Sequence, residues 1–148
     1  MRDLIDKLNK QKSLSLDEYQ ALIENPDPQY AEKIAREVNV YKNTVFIRGL
    51  IEISNICKND CHYCGIRGGN RNCERFRLTK EQILSCCENG YSLGFRTFVM
   101  QGGEDAFYSD EIMCDIISEI KTKFPDCAIT LSLGERSYES YQMLFDAG

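Results

Sequence analysis

Apolar residues recur along this chain with two different periods. From Ser109 to Lys123 they fall at Ile112, Met113, Ile116, Ile117 and Ile120, the three-and-four spacing of a helix that lays one stripe against a sheet. In Ala128-Ile-Thr-Leu-Ser-Leu133 they fall on alternate residues. Ile129, Leu131 and Leu133 then share one strand face, and Thr130 and Ser132 share the other. The same alternation sets Ile47, Ile51 and Ile53 opposite Arg48, Glu52 and Ser54, and puts Thr97 and Gln101 on one face of residues 96–101. The pattern predicts strands over 45–54, 96–101 and 127–133. It predicts helices over 79–93, over 109–123 and from about Ser137 onward, with Thr79 and Gln82 at capping-box spacing.

Strand and helix therefore alternate three times, which predicts an α/β fold with a parallel sheet and right-handed crossovers. Strands with one polar face fit the first part of a TIM-type β/α barrel, about three βα units, whose interior is partly a polar cavity. Parity alone also fits an edge or half-exposed sheet. Ahead of these units Ser15 and Glu18 have capping-box spacing and open a short helix through Ile23. Glu24-Asn-Pro-Asp-Pro-Gln29 reads as a turn, and residues 30–41 have helical composition. The expected organisation is an N-terminal helical extension over 1–43 followed by the barrel portion over 44–148.

Charge narrows the function classes. Eighteen basic and 23 acidic side chains leave a net charge of -5, so neither nucleic acid nor an anionic membrane surface is an expected partner. The first residues, Met1-Arg-Asp-Leu-Ile-Asp-Lys7, carry charges where a signal peptide would carry an apolar run, and no stretch approaches a membrane span of roughly 18 apolar residues. A cytoplasmic location is expected.

Eight cysteines in a chain without an export signal point to metal more than to disulfides. Cys57, Cys61 and Cys64 form a C-x3-C-x2-C cluster, whereas Cys73, Cys86, Cys87, Cys114 and Cys127 are scattered. The cluster follows the first expected strand directly, at the end where β/α barrels carry their chemistry. Three close thiolates can hold three irons of a 4Fe-4S cluster and leave the fourth open to a small chelating molecule, while four ligands close a structural site. Zinc, with Cys73 or His62 as fourth ligand, is the competing metal. Cys86, Cys87, Cys114 and Cys127 read as small hydrophobes in packed elements.

Gln101-Gly-Gly-Glu-Asp105 ends the second expected strand. Alone, two glycines mark a βα turn. Beside the cysteine loop they would let backbone approach a ligand, with Glu104 accepting hydrogen bonds from an ammonium group.

The cysteine cluster and the Gly-Gly-Glu turn, in this order and on these elements, resemble the radical SAM superfamily, whose members bind a 4Fe-4S cluster and S-adenosylmethionine (SAM) and generate a 5'-deoxyadenosyl radical. Within it, Arg48-Gly-Leu-Ile-Glu-Ile-Ser-Asn-Ile-Cys57, Lys58-Asn-Asp-Cys61, Tyr63-Cys-Gly-Ile-Arg67, Glu74-Arg-Phe-Arg-Leu-Thr79, Gly94-Phe-Arg-Thr-Phe-Val99 and Gln101-Gly-Gly-Glu-Asp105 are similar to the HydE-type FeFe-hydrogenase maturases. Biotin synthase and methylornithine synthase share the architecture but not the Gly-Leu-Ile-Glu strand or the Gly-Ile-Arg after the third cysteine. They form the alternative group, and a non-catalytic binding module stabilised by zinc or a cluster is the alternative from another class.

The resemblance implies roles. Cys57, Cys61 and Cys64 would ligate the cluster and Tyr63 would lie against the adenine. Gly102, Gly103 and Glu104 would meet the SAM amino group with Gln101 nearby, and Thr130 and Ser132 would line the substrate cavity. It also implies an electron donor, an organometallic iron substrate and other hydrogenase maturases as partners. Gly68 and Gly69 replace residues that are more polar or basic in many relatives, and Cys73 replaces a small apolar one. A full barrel takes about 200 to 250 residues, and the resemblance puts an Arg and a Glu for SAM beyond Gly148. The 148 residues are therefore expected to bind a cluster without turning over SAM, and to associate through the edge of the third strand.

Overall fold

The computed structural model describes residues 1–41 and 44–148; the expected boundary after Asn43 lies outside the described residues. Contacts divide the chain into two compact units, Met1–Val45 and Phe46–Gly148.

The first unit holds helices α1 (Arg2–Gln11), α2 (Leu16–Glu24) and α3 (Pro28–Val38). Both bonds of the Ser15/Glu18 capping box form, and Lys7 with Glu18 (2.6 Å) and Tyr30 with Asp6 (2.9 Å) link the helices. The expected turn at 24–29 is shorter than its prolines suggested. Asp27 accepts from the Tyr30 amide, and Pro28 takes the first helical position, where a missing N–H leaves no bond unmade.

The second unit runs β1 (Gly49–Ser54), α4 (Lys80–Ser92), β2 (Thr97–Gly102), α5 (Asp110–Lys123), β3 (Ala128–Ser132) and α6 (Tyr138–Asp146). Thr79, Ser109 and Ser137 cap the three helices through the amides of Gln82, Ile112 and Ser140. The strands form one parallel sheet in the order β1-β2-β3, as expected of consecutive βα units. The α/β fold with three parallel βα units matches the expected first part of a β/α barrel.

Register gives the two sheet faces opposite characters. Ile51 pairs with Met100 and Met100 with Leu131; Gly49, Phe98 and Ile129 form the next row on that face. Ile51, Ile53, Phe98 and Met100 are buried with Ile83, Leu84 and Cys87 of α4 and Met113, Ile116, Ile117 and Ile120 of α5. Burial of each large side chain is worth about 1.5 to 3 kcal/mol. On the other face Glu52, Gln101 and Ser132 make one row and Leu50, Val99 and Thr130 the next. Glu52, Gln101, Thr130 and Ser132 are all exposed there.

Two expectations for the first strand are corrected. β1 begins at Gly49, which pairs with Phe98 of β2, and Val45, Phe46 and Ile47 ahead of it are exposed. Ser54 does not join Arg48 and Glu52 on the wet face. The register shifts between Glu52 and Ser54, a bulge that re-aims the next side chain, and Ser54 is buried.

Candidate functional site

The cysteine loop leaves β1 at its C-terminal end. Local bonds shape it: Cys64 N donates to Cys61 O (3.0 Å), Arg67 N to Cys64 O (3.3 Å) and Gly68 N to Asn59 O (2.7 Å). Cys57 and Cys64 are half-buried, Cys61 is exposed, and all three thiols are free. Among the described residues these thiols make no hydrogen bond. Those of Cys73, Cys114 and Cys127 donate to the carbonyls of Glu74, Met143 and Phe95. Burial pushes the Cys87 thiol up to about 12, with help from Cys86 and Cys127. The loop thiols differ from Cys73, Cys114 and Cys127 in making no hydrogen bond and from buried Cys87 in their accessibility; Cys86, expected to pack as a small hydrophobe, is instead exposed on α4, away from any clustered cysteine loop. They share one loop without yet forming a closed ligand set, since no three His, Cys, Asp or Glu side chains among the described residues converge as a metal-binding group. As a donor set, three unengaged thiols at a strand's C-terminal end suit iron chemistry. Cys73 is turned elsewhere, accepting from Asn55 Nδ2 (3.5 Å), and His62 is exposed.

The Gly-Gly-Glu turn packs directly on this loop. Gly103 is buried, and its amide donates to Ser54 O (3.1 Å). A Cβ on Gly103 would lie 2.3 Å from Ile56 O and 2.7 Å from Cys57 Cβ, so only glycine lets the end of β2 lie against the first cysteine. Lys58 N also donates to Glu104 O (3.2 Å).

Glu104 is a carboxylate held ready for cations. Its side chain pairs with Lys58 Nζ (2.9 Å) and accepts from Asn59 Nδ2 (2.7 Å). The Lys58 ammonium is the main cause holding it below the ordinary carboxylate range, and Glu104 in turn raises Lys58. From β3's side Gly134, at φ 86°, leaves room for this side chain; a Cβ there would lie 1.9 Å from Glu104 Cγ. Beside Glu104 opens a cavity of about 330 Å³ lined by Lys58, Asp105, Asp110, Glu135 and Arg136 among others. Its acidic excess suits a ligand bearing an ammonium group.

Of the other expected site residues, Gln101 and Ser132 pair across the open sheet face and Thr130 lies on that same face. Tyr63, between the second and third cysteines of the loop, is 93% exposed. Sequence reasoning missed the polar network beneath. Asp105 is buried and accepts both arms of the Arg77 guanidinium (2.7 Å each), the Ser54 hydroxyl (2.7 Å) and the Phe107 amide (3.1 Å). Arg77 is the main cause holding its carboxyl below the ordinary range. The one signal for this network was the serine that ends the first strand.

Comparison with known proteins agrees with the fold. Over 104 residues the chain is 42% identical to the FeFe-hydrogenase maturase subunit HydE of Thermotoga maritima, which matches 70% of this chain and 29% of that protein. Over 111 residues it is 32% identical to 3-methylornithine synthase of Methanosarcina acetivorans, matching 72% of this chain and 31% of that protein. Among solved structures, the FeFe-hydrogenase maturase HydG superposes with a TM-score of 0.80 at 25% identity, covering 99% of this chain and 34% of HydG. Methylornithine synthase PylB superposes with a TM-score of 0.75 at 26% identity, covering 98% of this chain and 44% of PylB. The chain therefore spans about a third of the length of the relatives it matches in sequence. No protein-family model matches it. No described helix is long and apolar enough to cross a membrane.

Proposed function

We propose, for a chain that belongs to the radical SAM superfamily of enzymes on its HydE-type side, that Cys57, Cys61 and Cys64 hold a 4Fe-4S cluster and that the adjoining turn binds SAM. The observation that carries this reading is the contact between two loops: three unengaged thiols lie where Gly103 closes on Cys57 and Glu104 is already paired with an ammonium group. When bound, such a cluster would pass one electron, received from an external donor, to SAM, whose carbon–sulfur bond would break to give methionine and a 5'-deoxyadenosyl radical.

The chain's own residues bind and orient. Gly102 and Gly103 let backbone approach the ligand, and Glu104 exchanges the Lys58 ammonium for that of SAM. Gln101 lies nearby and Tyr63 turns onto the adenine. Thr130 and Ser132, on the open sheet face, line the substrate cavity. The similarity to HydE supports a role in FeFe-hydrogenase H-cluster assembly, with an organometallic iron species as substrate and other maturases as partners, in the cytoplasm. Identity of 42% to HydE against 32% to methylornithine synthase favours this over the biotin synthase and methylornithine synthase group.

Anaerobic reconstitution with iron and sulfide tests the assignment. The native chain and Cys73→Ala should retain about four irons, whereas Cys57→Ala, Cys61→Ala and Cys64→Ala should lose them. Stoichiometric zinc without iron in the native protein would overturn the proposal.

A further inference from the structure

After its third cysteine the loop returns along the end of β1. Residues 74–78 run beside Asn55, Ser54 and Ile53: Asn55 Nδ2 donates to Glu74 O (2.7 Å), Phe76 N to Asn55 Oδ1 (2.8 Å) and Leu78 N to Ile53 O (2.8 Å). Ser54 and Arg77 form an antiparallel bridge. From this segment two arginines, two positions apart, reach different loops.

Arg75 is half-buried and forms no ion pair with a carboxylate among the described residues. Its Nη1 donates to Asn55 O (2.5 Å) and Ile66 O (2.8 Å), and its Nη2 to Arg67 O (2.7 Å) and Asn70 O (3.1 Å). One acceptor precedes Cys57 and three follow Cys64, so a single planar fork joins both ends of the thiol loop. A lysine ammonium, with three donors on one atom, cannot span four carbonyls in this way. Arg77 performs the matching task on the other loop. It grips buried Asp105 with both arms and lies 4.4 Å from the centroid of the Phe107 ring, and Asp105 directly follows Glu104.

We infer that residues 74–78 act as a strap with two positioning residues: Arg75 holds the thiol loop closed for the cluster, and Arg77 holds the Gly-Gly-Glu turn for SAM. The second half of each assignment rests on the proposed function; the mechanical half does not. The two arginines therefore separate iron retention from SAM binding. A general stabilising role would instead affect both together.

The test uses Arg75→Lys and Arg77→Lys in the full chain. In protein without iron, amide exchange at Gly68 and Asn70 should speed up about tenfold in Arg75→Lys, and exchange at Gly103 and Phe107 about tenfold in Arg77→Lys, with sheet amides unchanged in both. After reconstitution Arg75→Lys should retain several-fold less iron. Arg77→Lys should keep its iron and bind SAM about tenfold more weakly. Should Arg77→Lys fail to fold, the pair Arg77→Met with Asp105→Asn, which strands no buried charge, gives the same reading. Native exchange at the loop amides in Arg75→Lys, or equal loss of iron and SAM binding in both variants, would overturn the strap. If the native chain takes up no iron, the proposed function fails while the exchange measurements still decide the strap.

Discussion

The helix-covered sheet and the thiol loop adjoin one another in the Phe46–Gly148 unit and are held by opposite means. Between β1–β2 and α4–α5 the contacts are apolar, among fully buried residues such as Ile53, Phe98 and Met113. Around the loop they are hydrogen bonds, most of them to backbone carbonyls and several from one arginine. The cysteines follow the same division: Cys87 and Cys127 are packed as small hydrophobes, while Cys57, Cys61 and Cys64 are left with free, unengaged thiols. Apolar burial fixes a scaffold without offering reactive groups. Polar closure can fix a loop and leave its side chains available.

The largest expected effect lies in the sheet. Phe98→Ala empties a fully buried site beneath α4 and should cost about 3 to 5 kcal/mol in urea unfolding. A loss below about 1 kcal/mol would mean that the sheet is not held by apolar burial. An intermediate effect lies at the junction. The folded-state value of Asp105 is depressed by Arg77, so its contribution is complete above the unfolded carboxylate value of about 4 and is lost as pH falls through the lower folded value. Acid titration of stability should therefore be shallower below about pH 4 in Asp105→Asn than in the native chain, and identical slopes would remove the pair from the account.

The smallest effect on stability belongs to the loop thiols. In protein without iron, Cys61→Ala should change stability by no more than about 0.5 kcal/mol. Alkylation at pH 8 should label exposed Cys61 quickly and leave Cys87, buried and pushed up to about 12, unlabelled until unfolding. Equal labelling of the two would erase the contrast on which the division rests.

What the sequence disclosed tracks how local each interaction is. Helix starts were legible because Ser15 with Glu18 and Thr79 with Gln82 signal within four residues. The strand centres were legible from alternation. Helix α1 was not singled out, since only Ile5 of its residues is buried. The run from Val45 to Arg48 looked like strand because Val45, Phe46 and Ile47 are apolar, but the pairing with β2 starts only at Gly49. The cysteines and Gly-Gly-Glu stood out by residue type and spacing. Arg75, Arg77, Ser54 and Asp105 did not, because their partners lie up to 51 positions away in the chain and only the folded β1–β2 junction brings them together. Lys58 was hidden differently, as an ordinary charge beside a cysteine until Glu104 is placed against it.

The central claim is that three loop thiols hold a cluster with one iron left open for SAM beside Glu104. Its most direct measurement is the electron paramagnetic resonance spectrum of the reconstituted, reduced chain before and after addition of SAM. An open iron next to the Gly-Gly-Glu turn predicts a changed spectrum that reverts when SAM is removed. An unchanged spectrum, in a chain that binds SAM nowhere, would contradict the claim and favour a closed, non-catalytic metal site.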